Sequence, residues 1–91
     1  MRLTLTGILM REDEGFSALC PDLDVATVGV SAADAKAMLL EAASLHVEGA
    51  IEDGLPYLRP VPATEDPRGV SPGTIAEEFR FYLDVAVRAS A

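Results

Sequence analysis

Cysteine is almost missing from this chain, and the single one, Cys20, has no partner for an internal disulfide. A lone thiol without a secretion signal fits a reducing cytoplasm. The stretch from Met1 to Gly15 carries one early charge and then alternates in polarity. It has neither an unbroken apolar core nor a small-residue cleavage site. No run approaches the ~20 apolar residues of a membrane-spanning helix. Tryptophan is absent, and the only histidine is His46. One histidine and one cysteine cannot supply the three or four ligands of a typical zinc site. A glycine-rich phosphate loop and a Gly-x-Ser-x-Gly elbow are also missing. Nothing in the sequence speaks for an enzyme, and no cofactor or metal is expected.

Positive charge is scarce too. Seven Lys and Arg stand against 15 Asp and Glu, a formal net charge of −8. Nucleic-acid binding draws on basic groups that displace counterions from phosphate, so direct binding to RNA or DNA is not expected. A basic partner is favoured by long-range steering. Acidity also serves solubility by itself.

What is present is a globular composition, 49% hydrophobic and 24% charged over 91 residues, which predicts one domain spanning 1–91. Leu3, Leu5 and Leu9 share one parity and Thr4 and Thr6 the other, so Arg2 to Glu12 reads as a strand. Beyond Gly7 the second parity also becomes apolar, at Ile8 and Met10. Gly7 therefore marks a bulge, or the strand is covered on both faces. The charged run ending in Gly15 predicts a hairpin turn. A second strand follows from Phe16 to Cys20 and is ended by Pro21. Val25 to Val30 reads as a third.

Ser31 with Asp34 three residues later is a capping-box variant that opens a helix over Ala32 to Asp53, stopped at Gly54. Its polar positions Asp34, Glu41, Ser44, Glu48 and Glu52 share a narrow arc, with Lys36 outside it. The apolar remainder is far wider than the stripe of ~100° that one sheet requires. The surplus predicts contact with a second copy, most simply a homodimer, through Leu40, Val47 and Ile51. Residues 54–73 hold five of the six prolines and read as a long connection that wraps the surface or moves.

The last segment carries two patterns. Phe79, Phe81, Leu83, Val85 and Val87 alternate as in a strand. Thr74 with Glu77 would cap a helix striped by Ile75, Phe79, Leu83 and Ala86. The strand, over Glu78 to Arg88, is preferred. The order is then β-β-β-α-β: an α+β fold with a three-stranded antiparallel meander, one long helix and a final strand.

Few side chains suggest a site. His46 lies in the apolar arc and reads as a hydrogen-bonded histidine at the core edge or an oligomer interface. Cys20 reads as a small buried hydrophobe, because Asp22 and Asp24 nearby disfavour a thiolate. Glu12, Asp13, Glu14, Asp22 and Asp24 cluster in sequence around the first hairpin. Their spacing matches no calcium loop. They are either solvated turn charges or a rim for the basic side chains of a partner.

Two stretches carry a family resemblance. The first has an acidic turn, Glu12 to Gly15, the aromatic Phe16 and a strand end at Pro21, Asp22 and Leu23. The second is the Ala- and Leu-rich helix after Ser31, its acidic end Glu52-Asp53-Gly54, and the proline-punctuated run to Pro62. Together, over Met1 to Pro62, they resemble the HicB-like antitoxins. The resemblance implies a partial, catalytically inactive ribonuclease-H-like domain and a final strand at Phe79 to Val87. It also implies a role: neutralising HicA, a small basic mRNA-cleaving toxin. The chain departs from the family at Asp24, Val25 and Ala26, where Pro-Gly-Cys is common. Few residues follow the last strand, so the DNA-binding module of longer members is not expected, nor is operator binding. Small solitary members of the fold, without a toxin, are also similar, which makes an oligomeric structural domain the alternative. A residual nuclease ranks below both, because the metal-binding carboxylates such chemistry needs are missing from Leu3 to Met10.

Overall fold

A computed structural model describes residues 1–86. Strands β1 (Arg2–Glu12), β2 (Gly15–Cys20) and β3 (Val25–Gly29) form the meander, helix α1 (Ala32–Glu52) follows, and β4 (Ile75–Asp84) closes the order. The sheet is antiparallel throughout, in the spatial order β3-β2-β1-β4. The expected α+β layout is the one observed.

Alternation along β1 decides which side chains meet the helix. Leu5 and Leu9 of β1, Ala18 and Cys20 of β2, and Leu83 of β4 enclose one core with Ala35, Leu39, Ala43 and Val47 of α1. The four helical residues recur at intervals of four. Because a turn takes 3.6 residues, such a stripe drifts slowly around the helix. The drift carries Val47 fully into the core and half-buries Ile51 against it. This corrects the interface expected from the sequence: Val47 is not available to a second copy, and Ile51 is largely spent on the sheet. Leu40 does remain exposed, and the other large apolar side chains exposed on α1 are Met38 and Leu45.

Local chemistry sets both ends of α1. The Ser31 hydroxyl accepts from the Asp34 amide at 3.1 Å, and the Asp34 carboxylate accepts from the Val30 amide at 3.0 Å. Two donors at the helix start are thus satisfied reciprocally. At the other end Gly54 adopts φ +69, a left-handed conformation that favours glycine. Leu55 then donates to Ala50 and Gly54 to Ile51, which closes a Schellman motif.

The sheet has a second covered face. Ile8 stands across from Leu19 and Glu78, pointing away from α1, yet it is fully buried. The proline-rich connection provides the cover. Arg59 and Val61 donate to the carbonyls of Asp22 and Pro21. Further on, Arg68, within the short helix α2 (Pro67–Val70), reaches Glu78 at 3.5 Å. The connection therefore wraps the sheet, and β1 is buried on both sides around Ile8. The β1–β4 irregularity lies between Leu9 and Met10 and not at Gly7. Gly7 instead makes room for an aromatic ring. The Phe79 side chain lies over it, and a Cβ there would stand 2.2 Å from Phe79 Cζ.

The final segment forms the preferred strand, since β1 needs a partner along its length from Arg2 to Met10. It begins at Ile75, before the expected Glu78. Phe79, Phe81, Leu83 and Val85 pack on the helix side. Val87 and Arg88 lie outside the described residues.

Candidate protein-binding surface

The five acids grouped by the sequence do not form one group in space. Glu12, Asp13 and Glu14 are exposed at the β1–β2 turn. Asp22 and Asp24 follow the far end of β2, a strand of 6 residues, about 17 Å away at ~3.4 Å per residue. The intervening strand runs straight, so neighbours in sequence become opposite ends.

Asp22 has a structural role. Met1 and Val85 exchange both backbone hydrogen bonds, at 2.9 and 2.7 Å, which turns the odd-numbered backbone groups of β1 toward β4. The even-numbered groups point toward β2, and β2 stops too soon to meet Thr6. The Asp22 carboxylate accepts the Thr6 amide there at 2.9 Å. Asp22 is thus a ladder substitute and not a free rim charge. Asp24 is exposed and turns the chain with φ +53.

The hairpin tip gains other neighbours. Gly15 lies so close to Gly29 that a Cβ on it would meet the Gly29 carbonyl oxygen at 2.4 Å. This brings the start of α1, with exposed Asp34, to the same end of the molecule. Glu77 and Glu78 also lie toward this end but pair with Lys36 at 2.7 Å and Arg68 at 3.5 Å. Glu12 accepts from the Ser17 hydroxyl at 2.6 Å. Among the described residues, Glu12, Asp13, Glu14 and Asp34 form no ion pair. Asp34 was legible only as a cap; its place beside the hairpin follows from β3 returning antiparallel to β2.

The remaining candidates are committed inside the fold. His46 Nε2 donates to the Tyr57 carbonyl at 2.9 Å, pinning the connection to α1. Cys20 is fully buried. Burial, and then the charge of Asp22, push its thiol up to about 11, so it stays protonated near neutrality. Among the described residues no three His, Cys, Asp or Glu are grouped to hold a metal ion, and no helix is long and apolar enough to cross a membrane.

No protein-family model matches this chain, and no curated protein matches it significantly. A solved structure does match: a chain of the "HicA3 and HicB3 toxin-antitoxin complex", with 22% identity, TM-score 0.58, and coverage of 93% of this chain and 100% of that one. The acidic four-stranded sheet with its single long helix is therefore similar in fold to a component of a toxin–antitoxin complex.

Proposed function

We propose that this chain is a non-catalytic, antitoxin-like binding module that neutralises a small basic, HicA-type mRNA-cleaving toxin in the cytoplasm. The observation that carries the reading is the fold shared with a chain of a toxin–antitoxin complex. The net charge of −8 gives the likeness a physical meaning. A protein that grips RNA presents Lys and Arg to phosphate, and an acidic chain competes for the same groups. The exposed acids Glu12, Asp13, Glu14 and Asp34 would steer the encounter, while apolar contacts hold the complex. The non-catalytic reading is supported by the commitments of Cys20 and His46, the two side chains otherwise suited to acid–base or nucleophilic work.

The test is co-expression with the short basic protein encoded by the adjacent reading frame. The expected result is rescued growth and a complex recovered by pull-down. Reversing Glu12, Asp13 and Glu14 to Lys should slow association and flatten its salt dependence without lowering the melting temperature, because exposed turn charges contribute little to stability. Absence of both rescue and complex would favour a solitary structural domain instead. RNA cleavage by the pure protein with magnesium or manganese, lost on replacing one of its carboxylates, would overturn the non-catalytic reading.

A further inference from the structure

The two outer edges of the sheet differ in chemistry. Along β4 the backbone groups that face outward belong to Glu78, Arg80, Tyr82 and Asp84, since the odd-numbered ones face β1. Charged side chains along an edge discourage strand addition. The β3 edge has no charge and no proline from Val25 to Val30. The alternation carried from β1 through β2 turns Val25, Thr27 and Gly29 toward β2, and the amides and carbonyls of Ala26 and Val28 are left facing outward. Val28 is 71% exposed and Val30 88%. Carboxylates close both ends of this open length. Asp24 precedes it and is exposed, and the Asp34 carboxylate sits on the Val30 amide at 3.0 Å. From Asp24 to Val30 the strand spans about 20 Å at ~3.4 Å per residue.

A flank of α1 overhangs the same edge. The helix packs mainly on β2 and β3, and the reach of Asp34 to Val30 shows which flank stands over β3. Lys36 lies on the other flank, 2.7 Å from Glu77 and 4.8 Å from the centre of the Phe79 ring. On the Asp34 flank Met38 is 46% exposed and Leu45 64%. Asp34, Glu41 and Glu48 recur there every seven residues, close to two helical turns, and all three are exposed. The edge thus combines outward backbone groups, an apolar strip on the helix above it and a border of carboxylates.

We propose, on the reading that the partner is a basic toxin, that this edge and flank receive one extended segment of that toxin as an added strand. Main-chain bonds to Ala26 and Val28 would hold it, as in other cases of strand addition. Its central side chains are apolar, packing on Val28 from one face and on Met38 and Leu45 from the other. Lys or Arg stand at its two ends, about six residues apart, to meet Asp24 and Asp34. The border decides against other occupants. Two copies paired antiparallel about Thr27 would set Asp24 of each against the Asp34 carboxylate of the other, at both ends of the seam. A neutral strand would draw water from those carboxylates and give no cation in return. A basic strand gains at both ends, so the apolar contacts that hold the toxin lie here, while the acids of the hairpin tip steer it in.

The experiment is titration of the full chain with the short basic protein of the adjacent reading frame, followed by binding kinetics and amide hydrogen exchange. Ala26 and Val28 should exchange freely in the chain alone and at least about tenfold more slowly in the complex. Val28→Pro removes one outward donor, and proline is tolerated on such edges. Leu45→Lys removes an apolar contact on the helical flank without touching β3. Each should raise the dissociation constant at least about tenfold, mainly through faster dissociation, with an unchanged circular dichroism spectrum. Tyr82→Pro, the matching change on the β4 edge, should bind as the wild type does. A complex indifferent to both Val28→Pro and Leu45→Lys, or one that leaves Ala26 and Val28 exchanging freely, would overturn this docking surface and leave the toxin-binding reading standing. Absence of any complex with the wild type would overturn that reading and the docking surface with it. Self-association of the chain alone that Val28→Pro abolishes would give the edge to a second copy and likewise overturn the proposal.

Discussion

The sheet buries apolar side chains on both faces, but under different kinds of chain. On one, α1 lays a four-residue-spaced stripe mainly against β3 and β2, and its backbone is satisfied internally. On the other, Ile8 and Leu19 are buried where the later part of the proline-rich connection reaches the sheet, through Arg68 and Glu78. That cover is held at a few points, including the amides of Arg59 and Val61 and the Arg68–Glu78 pair. A helix resists collapse into a cavity, whereas an irregular connection can settle. The two faces should therefore respond differently to the same injury.

The largest effect is expected at Leu39, fully buried under the helix. Leu39→Ala should cost about 3–5 kcal/mol, measured by urea unfolding. Ile8→Ala removes a similar volume on the other face but should cost only about 2–3 kcal/mol, because the connection moves in. Equal losses would break the comparison. Asp22 lies where β2 ends, and Asp22→Ala leaves the Thr6 amide without an acceptor, at a cost of about 1–2 kcal/mol. Asp22→Asn should recover most of it, since an amide oxygen still accepts; failure to recover would point to charge and not the hydrogen bond.

The smallest effect concerns the connection's own fastening. The Asp66 carboxylate caps α2 by accepting the Arg68 amide at 2.9 Å and pairs with the Arg68 guanidinium at 2.7 Å. The Arg68 side chain, and then its amide, hold the Asp66 carboxyl below its usual 3.8. Its contribution is thus complete above that value and lost as pH falls through the lower folded value. Asp66→Ala should cost less than about 1 kcal/mol near neutrality. The difference in melting temperature from wild type should vanish at strongly acidic pH, and one that persists would refute the linkage.

Some features were legible because their causes are local. Ser31, Asp34 and Gly54 bound α1 through contacts within a few residues, so capping chemistry located its ends. The alternation in β1 and β2 was visible for the same reason. The segment after Thr74 was not settled by its own pattern, since Phe79 and Leu83 fit a strand face and a helical stripe equally. The open side of β1 decided it. His46 was readable as a bonded histidine at the core edge, although its partner, Tyr57, was not. The acids show the opposite case: Asp22 and Asp24 look like companions of Glu12 to Glu14, but β2 separates them and Asp22 is spent on Thr6.

By itself the sequence determined the α+β order, the ends of the helix, the absence of a disulfide and the acidic balance. Each depends on periodicity, turn chemistry or simple counting, which act over short separations or none. Only the tertiary structure decided which apolar residues were surplus. The helix seats itself on the sheet along a drifting stripe, which consumes Val47 and leaves Met38 and Leu45 outside. It also decided that the proline-rich connection folds back onto the second face, and that one sheet edge is charged while the other is bare. Those outcomes depend on which strands become neighbours, and strand pairing joins residues too far apart for local pattern to specify.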